Sequence, residues 1–257
     1  TKRETSIMAT QPIHNKILKA AAREVLRPLG LRQQGRSRLW YEDFGWQTIA
    51  VGFQPSQWTR GSYLGISVQW LWYPRHFWAT EFGGRENGFI EFEDESQFRN
   101  AYLELARLGA ERFLDYRSKL ATLKEAYATL AAYCAKPPQR LGSLQDQSDL
   151  AKLALVSAAV TIHQAERREH PGHYLDLHLG ILAALNGKVD EAKSHISKAV
   201  ISDTNIDWQV ERNLYMDALL NVIDQPEALR SWLEEKIAAC RTLLKLEALP
   251  TPVLPER

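Results

Sequence analysis

Cysteine is scarce in this chain: Cys134 and Cys240 are the only two among 257 residues. Both fall within apolar helical patterns, so each reads as a small buried hydrophobe and not as a disulfide partner or nucleophile. That sparing use of the thiol favours a reducing, cytoplasmic compartment. There is also no run of about 18 apolar residues, so no segment is expected to span a membrane. The first ten residues, Thr1 to Thr10, are polar and charged and lack the apolar centre of a secretory signal. Met8 is a candidate initiator, and residues 1–7 are set aside from fold reasoning.

Net charge is nearly absent too. The chain carries 32 Lys and Arg against 31 Asp and Glu, a balance of +1. A protein that lives on nucleic acid usually has a basic excess, because phosphate contacts dominate that affinity. The local distribution is less even. Nine basic and four acidic residues lie between Thr1 and Gly45, and the counts reverse between Glu81 and Asp115.

Motifs that carry chemistry are missing as well. Gly83-Gly84 with Gly88 lacks the helix start and the Lys of a phosphate-cradling loop. No Gly-x-Ser-x-Gly elbow occurs. Glu91, Glu93, Asp94 and Glu95 could imitate a pair of catalytic carboxylates, but consecutive acids at a helix start are explained by the helix dipole and solvent. His163, His170, His173 and His178, with Glu169 and Asp176 nearby, form the one histidine cluster. A metal site needs two such side chains on one face, as at i and i+4. Pro171-Gly172 interrupts this cluster and His173 to His178 is five apart, so a solvated turn is expected. No catalytic residue, cofactor or metal is assigned.

What is present is periodicity. Apolar residues recur at helical spacing from Ile13 to Leu29 and stop at Gly30. The period then changes to two: Leu39 and Tyr41 alternate with Arg38, Trp40 and Glu42, and after a turn at Asp43 to Gly45, Ile49, Val51 and Phe53 alternate with Thr48, Ala50 and Gly52. Gln54 to Ser62 reads as a loop. Ile66, Val68, Trp70 and Trp72 mark a third strand that Pro74 ends. His76 to Phe82 and Phe89 to Phe92 are candidate short strands around a Gly83-Gly84 turn. From Ser96 to about Ala135 the helical period returns, as one long helix or as two broken near Gly109, with Asp94 and Gln97 set like a capping box.

Lys136-Pro137-Pro138 ends that stretch. Five helical segments are expected beyond it: Asp149 to Arg168, His173 to Asn186, Val189 to Ile201, Ile206 to Ile223 and Glu227 to Leu246. Short breaks between them imply antiparallel neighbours. The predicted class is therefore α+β: a small antiparallel sheet with flanking helices over residues 8–136, a linker at 137–147, an all-α helical-pair domain at 148–249, and a loose tail at 250–257.

Two resemblances follow. The stretch from His178 to Asp203 is similar to one tetratricopeptide repeat, with Leu179-Gly180, the Gly187 turn, Asp190-Glu191-Ala192 and Ala199 in place. Asp176, Ala183 and Thr204 depart from the residues that family prefers. The steric logic is that small Gly180, Ala192 and Ala199 let paired helices approach. Residues 14–72 resemble the bacterial family catalogued as domain of unknown function 4304. That likeness rests on Leu29-Gly30-Leu31, Gln34-Gly35-Arg36, Trp40-Tyr41, the Val51 to Ser56 strand end and Leu64-Gly65-Ile66. It implies an accessory bacterial protein, some of whose relatives sit among toxin–immunity genes.

Aromatics complete the picture. Five of the eight Trp fall between residues 40 and 72. Trp70 and Trp72 share a face with Ile66 and Val68 and read as core. Trp and Arg carry disproportionate energy in protein interfaces, which makes Trp40, Trp58, Arg60, Arg75 and Trp78 candidate partner-binding residues. Arg36 and Arg38, beside Arg27 and Arg32, could grip an acidic protein surface or, with Trp40, single-stranded nucleic acid. The expected function is non-enzymatic protein binding, as in an immunity protein that occludes a toxin. The alternatives are a nucleic-acid-associated protein and an enzyme whose site goes unrecognised.

Overall fold

β-Branched and aromatic residues fill two long strands at the centre of the first unit. The computed structural model describes residues 12–86, 89–135, 171–200, 207–250 and 253–255. In it, β3 (Gln47–Pro55) and β4 (Gly61–Trp70) pair antiparallel along their whole length, with Ile49 opposite Val68, Val51 opposite Ile66 and Phe53 opposite Leu64. The short β1 (Arg32–Gln33) and β2 (Leu39–Asp43) extend the sheet beyond β3. β5 (Phe82–Arg85) and β6 (Ile90–Glu91) both pair with β4. All pairings are antiparallel, as the period-two pattern predicts.

One face of this sheet carries Ile49, Val51, Phe53, Leu64, Ile66, Val68 and Trp70, each at most 1% exposed. Helix α2 (Glu95–Lys119) lies on it, burying Phe98, Tyr102, Leu105, Ala106, Gly109 and Phe113. Gly109 is the point of closest approach, where a Cβ would stand 2.9 Å from Val51 Cγ1 and 3.2 Å from Leu64 Cδ1. Gly109 therefore serves packing, and the helix runs through it unbroken. Each large side chain in this layer contributes about 1.5–3 kcal/mol of burial. Helix α1 (Ile13–Leu26), followed by a 3-10 turn at Arg27–Leu29, brings His14 against Phe92 and Phe98. Gly30 ends it at φ 94°, a conformation that glycine takes without strain.

The excursion from Leu71 to Glu81 is not a strand. It is tied to β4 by side chains: Gln69 Nε2 donates to the Phe77 carbonyl at 3.3 Å, and the Ala79 amide donates to Gln69 Oε1 at 3.1 Å. Glu81 accepts the Trp70 amide at 2.7 Å. The residues read as a turn, Gly83-Gly84, lie inside β5 opposite Ser67 and Ile66. A Cβ at Gly83 would sit 2.4 Å from the Ile66 carbonyl oxygen, so the glycine allows the backbones to meet.

The division between two compact units falls at Ser118/Lys119, earlier than the boundary near 136 that the sequence suggests; Leu243–Leu246 group with the first unit. The helical stretch breaks here because Thr122 caps α3 (Leu123–Cys134) through a reciprocal capping box with Glu125. The second unit continues with α4 (Pro171–Leu185), α5 (Val189–Ala199), α6 (Asp207–Val222) and α7 (Pro226–Leu244). α4 and α5 form a hairpin around Gly187 at φ 78°. Gly180 lets them touch: a Cβ there would lie 2.7 Å from Ile196 Cγ1 and 3.1 Å from the Ala192 carbonyl. The expected linker at 137–147 and helix at 149–168 lie outside the described residues. Part of the expected loose tail is held, since Arg230 Nη2 donates to the Leu254 and Pro255 carbonyls and Leu254 is buried. Among the described residues no helix is long and apolar enough to cross a membrane.

Candidate functional site: a basic cleft behind an exposed tryptophan

The β3–β4 connection, Ser56–Arg60, is a short loop with its own internal scaffold. Ser56 Oγ accepts the Trp58 amide at 3.1 Å and the Thr59 amide at 3.4 Å, a local turn of the kind serine favours. Ser62 Oγ donates to the Gln54 carbonyl at 3.0 Å across the base of the loop. On the far side the Phe92 amide donates to the Arg60 carbonyl at 2.8 Å. Gly61 opens β4 at φ 156°, and a Cβ on it would be 2.1 Å from the Ile90 carbonyl oxygen. The loop is thus pinned on both sides, with Trp58 projecting from it 72% exposed.

Behind the loop is a cleft of about 260 Å³, lined by His14, Arg38 and the loop residues from Pro55 to Gly61, Trp58 and Arg60 among them. Arg38 reaches it from β2's entry. Its guanidinium is half-buried, donates to Asn15 Oδ1 and the Gly61 carbonyl, and has its pKa lowered by that burial. Both partners are neutral. Arg60 is exposed and makes no side-chain bond to a described residue. His14 has its pKa lowered first by burial and then by Arg38 and Arg60, so two positive charges face it. The hydroxyl of Tyr102, beside Ser62, is pushed up to about 12 by burial and stays protonated. Among the described residues, neither Arg38 nor Arg60 ion-pairs with a carboxylate.

Of the residues singled out from sequence, the fold brings Arg38, Trp58 and Arg60 together here. It sends the others elsewhere. Trp40 is a correction: it stands opposite Val51 on the helix-covered face and is 3% exposed, so it is core. Trp78 packs on Tyr41 with ring centroids 4.7 Å apart. Arg75 pairs with Glu81 at 3.3 Å, and that carboxylate is 2% exposed. Arg75 also stacks over Tyr73 and Phe77, so it and Trp78 fasten the 71–81 excursion. Arg36 is exposed at the β1–β2 turn, where its carbonyl accepts Lys19 Nζ. His14 was not foreseen, because nothing in Ile13-His14-Asn15 marks it until α1 is docked.

A second polar cluster joins α3, α4 and α5. His195 Nδ1 and Asp176 Oδ1 are 2.8 Å apart, Lys188 Nζ donates to Tyr127 Oη at 2.9 Å, and Tyr127 Oη donates to Glu191. Asp176, assigned from sequence to a histidine-rich turn, pairs instead with His195. Cys134 is exposed as a residue at the end of α3, against expectation, but its thiol is half-buried and is pushed up to about 11 by that burial and by Asp176. These bonds fasten α3 and α4 to α5, and a protonated thiol is a poor nucleophile. Of the histidines in the sequence cluster, His163, His170 and the side chain of His173 lie outside the described residues, and His178 is fully buried. Among the described residues no group of three ligating side chains could hold a metal.

No family model matches the chain, and neither the curated proteins nor the solved structures contain a match.

Proposed function

We propose that this chain is a non-enzymatic protein-binding protein whose β3–β4 tip docks on an acidic surface of its partner, in the manner of an immunity protein that covers a toxin's working surface. One observation carries the reading: Trp58 stands 72% exposed on a pinned loop, beside two arginines that ion-pair with no described carboxylate. An indole of that size in water is disfavoured unless something covers it, and Trp and Arg are the residues most enriched among interface hot spots. Stable specific association needs about 800 Å² per partner, so the tip would be the centre of a larger contact that includes its flanks. The immunity element rests on the resemblance of residues 14–72 to a family some of whose members sit among toxin–immunity genes.

The test is direct. The chain would be co-expressed with a candidate toxin encoded beside it, and the complex and cell survival measured. Wild type should rescue growth and co-purify, whereas Trp58→Ala with Arg60→Glu should lose both while remaining folded. A rescue that survives both substitutions would remove the tip from the interface. Failure of the wild type to bind the toxin would end the immunity reading.

A further inference from the structure

We propose that the cleft behind the β3–β4 tip is a binding site for a phosphomonoester, with the phosphoryl group seated among Arg38, Arg60 and His14 and the ring it carries laid against Trp58. This goes beyond the docking reading and does not depend on it.

The first ground is charge. Three basic groups from three separate parts of the chain, the start of α1, the entry to β2 and the β3–β4 loop, converge on one recess. Among the described residues, Arg38 donates only to an amide oxygen and a carbonyl oxygen. A guanidinium has five N–H donors, so most of its fork remains to face a ligand. A half-buried cation with no counter-ion among the described residues is costly, and an anion entering the cleft offsets that cost. His14 has its pKa lowered chiefly by burial, with Arg38 and Arg60 adding to it, so both arginines act on the same imidazole. The cleft also lies at the first turn of α1, which holds no acidic residue, and the positive end of a 14-residue helix favours an anion there.

The second ground is the match to a phosphoryl group over a carboxylate. A carboxylate carries one charge and two oxygens, which a single arginine fork satisfies. Two arginines and a histidine offer more donors than that. A phosphomonoester brings about two charges near neutral pH and three acceptor oxygens. Ser56 and Thr59 border the same recess. Trp58 supplies a flat, exposed wall at its mouth, suited to stacking a base.

The experiment is calorimetric titration of the full chain at low salt with inorganic phosphate, ribose 5-phosphate, adenosine 5′-monophosphate, succinate and a single-stranded oligonucleotide lacking a terminal phosphate. Inorganic phosphate and ribose 5-phosphate should bind at millimolar level, and the nucleotide about tenfold tighter through stacking. Trp58→Ala should erase that tenfold gain and leave ribose 5-phosphate unchanged. Arg60→Ala, at an exposed side chain bonded to no described residue, should weaken all three phosphates about tenfold or more. Arg38→Lys, which keeps the charge and loses the fork, should do likewise; if it unfolds, Arg60→Ala alone decides. No binding of inorganic phosphate up to about 20 mM would overturn the proposal. Succinate binding as tightly as phosphate would make this a carboxylate pocket, and equal binding of the oligonucleotide would make it a strand-binding surface; either overturns it. No partner is present in these titrations, so their failure leaves the docking reading standing, and loss of toxin binding leaves this one.

Discussion

Arg38 Nη2 donates to the side-chain oxygen of Asn15, so the guanidinium at the back of the cleft is oriented by an amide, and no acid among the described residues neutralises it. An amide positions a cation without cancelling its charge. That distinction separates a structural arginine from one poised for an anion.

Asn15→Asp tests it. The substitution is nearly isosteric and places a carboxylate on Arg38, so the melting temperature should hold or rise while affinity for inorganic phosphate falls at least tenfold. A fall in melting temperature beyond about 4 °C, more than 1 kcal/mol for a chain of this size, would show that the amide itself is needed for folding.

His14 makes stability depend on pH. Its folded pKa lies below the ordinary value near 6.5. The folded state therefore binds fewer protons there than the unfolded chain, and stability rises with pH up to about 6.5, being lost as pH falls toward the depressed value. Urea midpoints at pH 5, 6, 7 and 8 should show this slope, and His14→Gln should flatten it. An unchanged slope would mean that another group titrates.

Gly61→Ala should be severe. The new Cβ would lie 2.1 Å from the Ile90 carbonyl oxygen, at a φ of 156° that suits only glycine. Backbone on the other side cannot retreat without parting β4 from β6, so a loss of about 2–4 kcal/mol is expected. A variant within about 0.5 kcal/mol of wild type would show that the β6 pairing is dispensable.

Gly180→Ala should disturb the second unit through one neighbour. Its Cβ meets Ile196 Cγ1 at 2.7 Å, which predicts a cost of about 1–3 kcal/mol. Ile196→Ala alone should cost about 2–5 kcal/mol. Combined, they should cost less than their sum by 0.5 kcal/mol or more, because the second change makes room for the first. Strict additivity in a denaturation cycle would show that the helices part instead.

Much of the fold is legible because periodicity survives burial. Ile49, Val51 and Phe53 alternate visibly, and Asn186-Gly187 marks its turn with the residue that a positive φ demands. What misled was tertiary. Gly83-Gly84 looks like a turn until β4 lies alongside it, and Gly109 looks like a helix break until Val51 occupies the space a side chain would need. The true break was present in Thr122-Leu123-Lys124-Glu125, a capping box whose weight shows only when the helix ends there. The cleft was half legible. Trp58 and Arg60 stand in a turn-rich loop and so project outward. Trp40 differs from them only in its register against Val51, a matter of which face it points to. His14 joins them solely because α1 packs beside Phe98.

The anchoring of the β3–β4 loop by Ser56, Ser62 and the Phe92 amide has a kinetic consequence. A segment already held in one shape surrenders little freedom if a partner grips it. Substitutions at Trp58 should then leave the speed of encounter almost untouched and shorten residence time instead, whereas loosening Ser56 should slow arrival as well.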